Sequence, residues 1–260
     1  MSEIEIPTSR PSLKGKRVLV TGASGGIGRA IVQNLARDGA EIGIHCNSNR
    51  DAAAALAIAI EQQGGHAKVL TADLESVNER DGLIQRFHTE FGGIDVLVNN
   101  AGGISEYKHF VDLDVESWEQ AFSLNVTAPF ALSKSSWSYF VAQEGGKIIN
   151  ISSAAVRYGG SARGLHYVSA KAALEAMTVA LAKEGASKNI LVNAIRCGLI
   201  ETDMHRRIEG YNEERYKKRV EMVPLGRPGR PEEVAALVAH LASEDGAFIT
   251  GQVLTIAGGD

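Results

Sequence analysis

Tyr167 and Lys171 lie four residues apart in a segment that reads YVSAK. On a helix this spacing places both side chains on the same face. A free tyrosine has a pKa of about 10, and a neighbouring fixed cation lowers that pKa because it favours the phenolate. We therefore expect Tyr167 to act as a general acid or base. In isolation the same spacing would describe a surface tyrosine and lysine, so the surrounding motifs decide between the two interpretations.

Ser153 follows an apolar run, Lys147–Ile151, which predicts a buried strand. Ligands of parallel sheets bind beyond the carboxyl ends of the strands. The Ser153 hydroxyl is therefore expected to hydrogen-bond a substrate oxygen and to stabilise charge that develops on it. No G-x-S-x-G elbow surrounds this serine, which argues against a hydrolase. The seven histidines lack metal-binding spacing, so no metal site is predicted. His166, beside Tyr167, is interpreted as an incidental loop histidine, with a place in the pocket lining as the alternative.

A glycine-rich turn, Thr21–Gly28, comes between the first predicted strand and the first predicted helix. In that context Gly22 permits a tight turn, Gly26 lets the backbone approach a pyrophosphate, and Gly28 allows close packing of the helix on the sheet. The helix N-terminus offers free N–H groups to phosphates. No Lys-Ser/Thr pair follows, so the turn is not an NTPase P-loop, and a purely structural turn is the alternative.

Short apolar runs alternate with longer helical patterns along the chain. The predicted strands are Arg17–Thr21, Glu41–His45, Ala67–Thr71, Asp95–Asn99, Lys147–Ile151, Ile190–Ile195 and Gln252–Ile256. The predicted helices are Ile27–Arg37, Asp51–Gln63, Val77–Phe91, Ser117–Phe140 and Tyr167–Glu184. Strands without polar alternation, separated by helices, indicate a parallel sheet covered on both faces. We predict a single α/β domain of the Rossmann type, doubly wound, over residues 14–260 after a flexible tail at residues 1–13.

The segment Glu201–Glu221 is dense in charges of both signs. A solvated helical face is the default interpretation of such a run. Its position directly after the carboxyl end of a predicted strand also suggests a mobile substrate lid, and both descriptions can hold at once.

The turn has the spacing G-x-x-x-G-x-G, which resembles the cofactor motif of the short-chain dehydrogenase/reductase family. Asn99-Asn100-Ala101-Gly102 matches the family's N-N-A-G motif, and Asp73 matches the acidic residue that accepts from the adenine amino group. Asn125 matches a fourth catalytic residue, whose implied role is to hold a water that relays protons to the lysine. The resemblance extends from about Lys16 to Gly259. It implies a nicotinamide-dependent oxidoreductase.

The resemblance implies two sets of site residues. The catalytic residues are Ser153, Tyr167, Lys171 and Asn125. The cofactor-binding residues are Gly22, Ser24, Gly26, Ile27, Gly28, Asn47, Ser48, Arg50, Asp73, Leu74, Asn99, Ala101, Gly102, Tyr167, Lys171, Gly198, Ile200 and Thr202. The interval from Ser153 to Tyr167 is one residue longer than usual, which indicates an insertion within Gly159–His166 and leaves Ser152 as the alternative serine. Cys197 replaces the family's proline before Gly198 and leaves that turn less rigid.

The cofactor is predicted to be NADP(H), with NAD(H) as the alternative. NAD-selective enzymes of this fold place an acid at the end of the second strand to bind the ribose 2′-OH. Here His45–Arg50 contains no acid, and Arg50 with its polar neighbours could hold a 2′-phosphate. Gly25 stands where many NADP-dependent relatives have Arg or Lys.

The whole pattern most resembles the 3-oxoacyl-[acyl-carrier-protein] reductases, including Pro224–Arg227 and Gly251–Leu254. Recognition of an acidic carrier requires basic residues beside the site. Lys188 could serve, whereas Gln143–Gly146 lacks positive charge. A small-molecule ketone, sugar or alcohol dehydrogenase on the same scaffold is the alternative. A cofactor-sensing protein without catalysis is disfavoured because the tyrosine and the lysine are both present.

Bulk properties exclude several other classes. A net charge of −4 over 260 residues gives no general attraction to nucleic acid or anionic lipid. Cys46 and Cys197 have no disulfide or metal spacing, which fits a reducing, cytoplasmic compartment. Met1–Pro11 lacks a signal-peptide core, and the longest apolar run, Ala52–Ile60, is too short to span a membrane. The predicted helices Ser117–Phe140 and Tyr167–Glu184 have more apolar residues than packing of one face against the sheet requires. The additional apolar surface suggests contacts between subunits, in a homotetramer or a homodimer.

Overall fold

The computed structural model describes residues 13–104, 106–203 and 212–260. Within these ranges, seven strands form one sheet in the order β3-β2-β1-β4-β5-β6-β7, and every pair of neighbours is parallel. The strands are β1 (Arg17–Val20), β2 (Glu41–Cys46), β3 (His66–Thr71), β4 (Val96–Asn99), β5 (Gly146–Ser153), β6 (Ile190–Cys197) and β7 (Val253–Ile256). The predicted doubly wound Rossmann-type fold is confirmed.

The helices flank this sheet on both faces. They are α1 (Gly26–Arg37), α2 (Arg50–Gln62), α3 (Val77–Asp81), α4 (Leu83–Phe91), α5 (Val115–Phe122), α6 (Ala128–Ala142), α7 (Leu165–Gly185), α8 (Glu213–Glu221) and α9 (Pro231–Ala242). A π-helical turn, Ser123–Thr127, joins α5 to α6, and a 3₁₀ turn, Ala154–Tyr158, follows β5. No helix in the described ranges is both long and apolar enough to cross a bilayer.

Alternate residues of the central strands divide the apolar core into two layers. In β1, Val18 and Val20 pack in the layer beneath α1, α2 and α9, whereas Leu19 packs in the layer beneath α4 and α6. Because a strand sends successive side chains to opposite faces, burial on both faces requires an unbroken apolar run. This is why β1 and β4 show no polar alternation.

Several predicted boundaries need correction. The predicted helix Val77–Phe91 is divided at Gly82, and Ser117–Phe140 is interrupted by the π-helical turn. Helix α9 was absent from the predicted elements. Leu13, placed at the end of the predicted tail, is fully buried in the core. The first twelve residues of that tail lie outside the described residues.

The strand order reverses between β1 and β4, because β2 and β3 lie on one side of β1, and the chain then crosses from β3 to β4 on the other side. A cleft opens at such a reversal beyond the carboxyl ends of the two strands. The glycine-rich turn follows β1 and the Asn99–Gly102 segment follows β4, so both predicted cofactor motifs lie at this cleft.

Candidate active site

The glycine-rich turn has the conformation that a phosphate cradle requires. Gly22 and Gly26 have positive φ values of 62° and 53°, which favour glycine. A Cβ at Gly28 would lie 2.6 Å from the Asn100 side-chain nitrogen, so only glycine fits there. The N-cap of α1, Gly25, offers no side-chain hydrogen bond to the first helical N–H groups. Those donors can therefore meet an anionic group, and the turn fits a dinucleotide.

The segment after β4 is fastened to this turn. The Asn100 amide donates to the carbonyl oxygens of Thr21 and Gly22 at 2.8 and 3.0 Å, and the Ala101 N–H donates to the Thr21 hydroxyl at 2.9 Å. Asn99 points elsewhere, because its side chain is buried and donates to the Asn150 amide oxygen at 2.8 Å. The side chain of Asn99, predicted to bind cofactor, is thus engaged in the interior of the fold.

The residues predicted to hold the adenosine half lie beyond β2 and β3. Asn47, Ser48 and Arg50 are exposed, and Arg50 begins α2. Leu74 is buried, and the Asp73 carboxylate accepts a hydrogen bond from the Glu75 N–H at 3.0 Å. These side chains lie beyond the carboxyl ends of β2 and β3.

Ser24 and Ile27 lie in the glycine-rich turn and at the start of α1, and the other predicted cofactor residues follow β6. The Gly198 N–H donates to the Ile256 carbonyl at 2.9 Å, and a Cβ at Gly198 would lie 2.7 Å from the Ala257 Cα. Ile200 is buried, and the Thr202 methyl group lies 3.4 Å from the Cβ position of Gly26. Thr202 therefore faces the glycine-rich turn across a narrow gap.

Tyr167, Lys171 and Ser153 converge at the carboxyl end of β5. The Lys171 ammonium is buried, donates to the Ile151 carbonyl at 2.9 Å, and lies 5.8 Å from the centre of the Tyr167 ring. Ser153 is hydrogen-bonded to Tyr167, whereas Ser152 donates to the Glu175 carboxylate at 2.6 Å. Between the two serines, this arrangement favours Ser153 as the partner of Tyr167.

The electrostatics of this group differ from the expectation that Lys171 lowers the pKa of Tyr167. Burial raises the pKa of Tyr167, and the hydrogen bond with Ser153 opposes that rise only in part. Burial also lowers the pKa of Lys171 to about 8. Desolvation penalises the charged forms of both groups. In the protein without cofactor, Tyr167 is therefore a protonated phenol, which suits a proton donor.

Asn125 lies in the π-helical turn and is completely buried. Its side-chain oxygen accepts from the Gly103 N–H at 3.1 Å, and its nitrogen donates to the carbonyls of Gly103 and Ala121, both at 2.9 Å. A Cβ at Gly102 would lie 2.6 Å from the Asn125 oxygen and 2.9 Å from the Lys171 nitrogen. Gly102 thus occupies the point where these two side chains meet.

A buried charged cluster lies behind the site and was not predicted from the sequence. The Glu175 carboxylate, on the helix of Tyr167 and Lys171, accepts from the Arg196 guanidinium and from the Ser152 hydroxyl. Ser152 and Arg196 are paired in register on β5 and β6. Two sequence signals could have indicated this cluster: a glutamate in a largely apolar part of α7 and an arginine near the end of the mainly apolar strand β6.

Cys197 and His166 are both buried near Tyr167. Burial raises the pKa of the Cys197 thiol to about 12, which makes it an unreactive packing residue. His166 lies in the first turn of α7 rather than in a loop, and neither ring nitrogen has a hydrogen-bond partner among the described residues. No group of metal-ligating side chains occurs in the part of the chain that the structure describes.

The predicted lid, Glu201–Glu221, is described only in part, since residues 204–211 lie outside the described residues. Its second half forms α8, which Asn212 caps through hydrogen bonds to two N–H groups. Arg219 of α8 donates to the Tyr158 hydroxyl at 2.6 Å and pairs with the Asp260 carboxylate at 3.4 Å. Helix α8 therefore contacts the turn that follows Ser153.

Comparison with known proteins agrees with this geometry. The family model described as enoyl-(acyl carrier protein) reductase matches residues 22–260. A 3-oxoacyl-[acyl-carrier-protein] reductase of Aquifex aeolicus is 38% identical over 95% of this chain and 98% of its own length. Among solved structures, a blue fluorescent protein from a metagenomic library, in complex with NADPH, has a TM-score of 0.89 and 34% identity, covering 95% of this chain and 98% of its own. A short-chain dehydrogenase from Burkholderia cenocepacia, in complex with NADP, has a TM-score of 0.86 and 32% identity, covering 95% and 98%.

A Rossmann-type sheet with a glycine-rich turn after its first strand and a Ser-Tyr-Lys group at its carboxyl edge is typical of nicotinamide-dependent oxidoreductases. Together with the family match over residues 22–260, these features show that the chain belongs to the short-chain dehydrogenase/reductase family. The family resemblance predicted from the sequence is thereby confirmed.

Proposed function

We propose that the chain catalyses reversible hydride transfer between NADP(H) and a carbonyl or secondary alcohol, with Tyr167 as the group that gives or takes the proton. The observation that carries this proposal is the convergence of Ser153, Tyr167 and Lys171 beside the glycine-rich cleft. When bound, the nicotinamide would supply or accept the hydride.

The residues of the site have separate roles in this proposal. Tyr167 is protonated in the protein without cofactor and donates its proton to the carbonyl oxygen during reduction. Ser153 hydrogen-bonds the same oxygen and stabilises its developing negative charge. Lys171, held by the Ile151 carbonyl, presents an ammonium to Tyr167 and to the cofactor. Asn125 fixes Gly103 and keeps the Lys171 surroundings ordered.

The preference for NADP(H) rests on the end of β2. Asn47, Ser48 and Arg50 are exposed there, and the segment from His45 to Arg50 contains no carboxylate to repel a 2′-phosphate. The two solved relatives named above were crystallised with NADPH or NADP.

For the substrate we propose a 3-oxoacyl thioester, because a 3-oxoacyl-[acyl-carrier-protein] reductase is 38% identical over nearly the whole chain. The second candidate is a small-molecule ketone, sugar or alcohol. That alternative is favoured by a specific observation: Lys188, the cation expected to meet a carrier protein, is already paired with Glu184 at 2.5 Å. Helix α8, with the segment before it, is proposed to cover the substrate.

The test is oxidation of NADPH, followed by absorbance, with acetoacetyl thioesters of coenzyme A and of acyl carrier protein beside a panel of ketones and sugars. The variant Tyr167→Phe should lose turnover by about 10³-fold while it still binds NADPH. Tyr139→Phe is the matched control, because Tyr139 stacks on His88, remote from the site. Normal turnover by Tyr167→Phe would contradict the mechanism, and greater activity with NADH would contradict the cofactor choice.

The same proposal includes assembly into a homotetramer or homodimer in the cytoplasm. Helices α6 and α7 form an apolar groove, and Phe130 on its rim is half exposed. Side chains lining the groove are Phe130, Lys134, Trp137, Ser138 and Leu181. A second copy of the chain would bury this surface, and sedimentation analysis of the protein and of Phe130→Glu would test the assembly. Both cysteines are buried free thiols, which fits a reducing compartment.

A further inference from the structure

His45 is a buried polar side chain in strand β2, and only 2% of its surface is exposed. Its Nδ1 lies 3.1 Å from the Gly22 main-chain nitrogen, and its Nε2 lies 3.0 Å from the Ala72 carbonyl oxygen. Its own carbonyl oxygen accepts from the Ala23 N–H at 2.8 Å. Side chain and main chain of one residue therefore hold two successive residues of the glycine-rich turn.

The partners of the ring define its protonation state. The Ala72 carbonyl can only accept, so Nε2 carries the hydrogen and donates it. The Gly22 N–H can only donate, so Nδ1 offers a lone pair. A single neutral tautomer satisfies both bonds. In agreement with this geometry, burial lowers the pKa of His45 to about 4, the charge of Arg86 acts in the same direction, and the Ala72 carbonyl opposes them.

The two bonded groups belong to opposite halves of the cofactor cleft. Gly22 begins the turn expected to bind the pyrophosphate, and Ala72 directly precedes Asp73, the residue expected to meet the adenine. Gly22 also abuts the segment after β4, since a Cβ there would lie 2.9 Å from the Ala101 Cα. The imidazole is thus a rigid bridge that fixes the distance between the pyrophosphate turn and the adenine loop.

We propose that neutral His45 is a positioning residue for the dinucleotide, holding the Gly22 turn and the Asp73 loop in the relative placement that the cofactor requires. The inference rests on the proposed use of a nicotinamide dinucleotide. Without the bridge, the Gly22 N–H and the Ala72 carbonyl lose their shared partner, and the two segments are no longer held together. The cofactor must then order both segments as it binds, which lowers its binding free energy. Chemistry at Tyr167 is remote from the bridge, so the effect falls on cofactor affinity and spares turnover at saturation.

Three substitutions separate the two bonds. His45→Phe keeps a planar ring and removes both polar atoms. His45→Asn places an amide oxygen near the position of Nδ1 and can still accept from Gly22. His45→Gln places its amide nitrogen near the position of Nε2 and can still donate to Ala72. We expect the dissociation constant for NADPH, measured by fluorescence titration, to rise at least tenfold in His45→Phe. In His45→Asn, which keeps the bond to Gly22 but loses the bond to Ala72, it should rise by a smaller factor of about three to ten. The kcat at saturating NADPH should change less than threefold in both.

A second readout needs no cofactor. Hydrogen exchange of the Gly22 amide should accelerate at least tenfold in His45→Phe and in His45→Gln, while it stays slow in His45→Asn. If His45→Phe does not fold, the His45→Asn and His45→Gln variants carry the test. Equal exchange rates of the Gly22 amide in these two variants, or an NADPH affinity in both that matches the unchanged protein, would overturn the proposal. A His45→Phe protein that folds and binds NADPH normally would overturn it as well. Failure of the unchanged protein to bind either nicotinamide dinucleotide would instead refute the proposed function.

Discussion

The Glu175 carboxylate and the Arg196 guanidinium form a two-point hydrogen-bonded pair, with Nε–Oε1 at 2.8 Å and Nη2–Oε2 at 2.5 Å. Only 7% of the Glu175 side chain is exposed, against 25% for Arg196. The pair links α7 to β6, and Ser152 joins β5 to the same carboxylate. Three elements that carry site residues are therefore held together at one buried point.

Glu175→Gln should destabilise the protein strongly. The substitution keeps the shape of the side chain but leaves the Arg196 charge without its counter-ion, and breaking such a pair costs about 3 kcal/mol of unfolding free energy. Urea unfolding monitored by circular dichroism measures the change. The control is Glu214→Gln. Glu214 pairs with Lys218, and both side chains are exposed on α8, so its loss should lower the unfolding free energy by less than about 1 kcal/mol. Equal, small effects of both substitutions would contradict the importance assigned to the pair.

Gly102→Ala should reduce activity while the fold is retained. The added Cβ would lie 2.6 Å from the Asn125 oxygen and 2.9 Å from the Lys171 nitrogen, so both side chains must move. A displacement of this size at a catalytic group can lower kcat by about 100-fold. Gly103→Ala is the matched control, because a Cβ there meets nothing within 4 Å. Full activity of Gly102→Ala in steady-state assays would show that the lysine needs no such placement.

Acidification should destabilise the protein in part through His45. Its pKa is about 4 in the folded chain, against an ordinary value of about 6.5 when unfolded. Because the unfolded chain binds the proton more readily, the stability from this group is complete above pH of about 6.5 and falls as the pH drops toward 4. The loss by pH of about 4.5 amounts to about 2–3 kcal/mol.

Unfolding free energies of the unchanged protein and of His45→Asn, measured between neutral pH and pH of about 4.5, isolate this contribution. Other groups titrate in both proteins, including buried His166, whose pKa is also lowered. Only the difference between the two curves reports on His45. Parallel curves would mean that His45 takes no part in the acid sensitivity.

Arg50→Glu should shift the cofactor preference toward NADH. Arg50 is exposed at the start of α2, where a 2′-phosphate would meet the new carboxylate. Reversal of one charge beside a phosphate should lower kcat/KM for NADPH by at least about tenfold relative to NADH. The control Arg37→Glu changes the net charge by the same amount, but it lies at the C-terminal end of α1, away from the glycine-rich turn. It should leave the ratio of kcat/KM for NADPH to that for NADH unchanged. An unaltered ratio in Arg50→Glu would remove Arg50 from the proposed phosphate site.

The sheet could be predicted from the sequence because its strands are buried on both faces. Runs such as Arg17–Val20 and Val96–Asn99 have no polar alternation, and glycines bound the helices between them. Helix α9 had equally clear signals that the prediction omitted: Pro231 in its first turn, Glu233, whose carboxylate accepts from the Arg230 N–H, and apolar residues at helical spacing. The break at Gly82 could not be predicted, because the apolar spacing continues across it.

The site was predictable where its residues are close in the chain and not where they are distant. Tyr167 and Lys171 share one helix, so spacing alone placed them on one face. Glu175 and Arg196 are 21 residues apart on different elements, and no spacing rule pairs them. The rise in the Tyr167 pKa in the protein without cofactor could not be predicted, because the depth of burial that causes it depends on the surrounding tertiary structure.

The π-helical turn Ser123–Thr127 gives the chain one extra residue where α5 passes into α6. Each residue of an α-helix advances the side-chain direction by about 100°. A one-residue deletion within this turn would restore regular α-helix, leave the apolar contacts of α6 in phase, and rotate Asn125 away from Gly103. A chain shortened by one residue here would therefore still fold into the Rossmann sheet. It would lack the Asn125 contacts that order the surroundings of Lys171, and so it would lose activity without losing the fold.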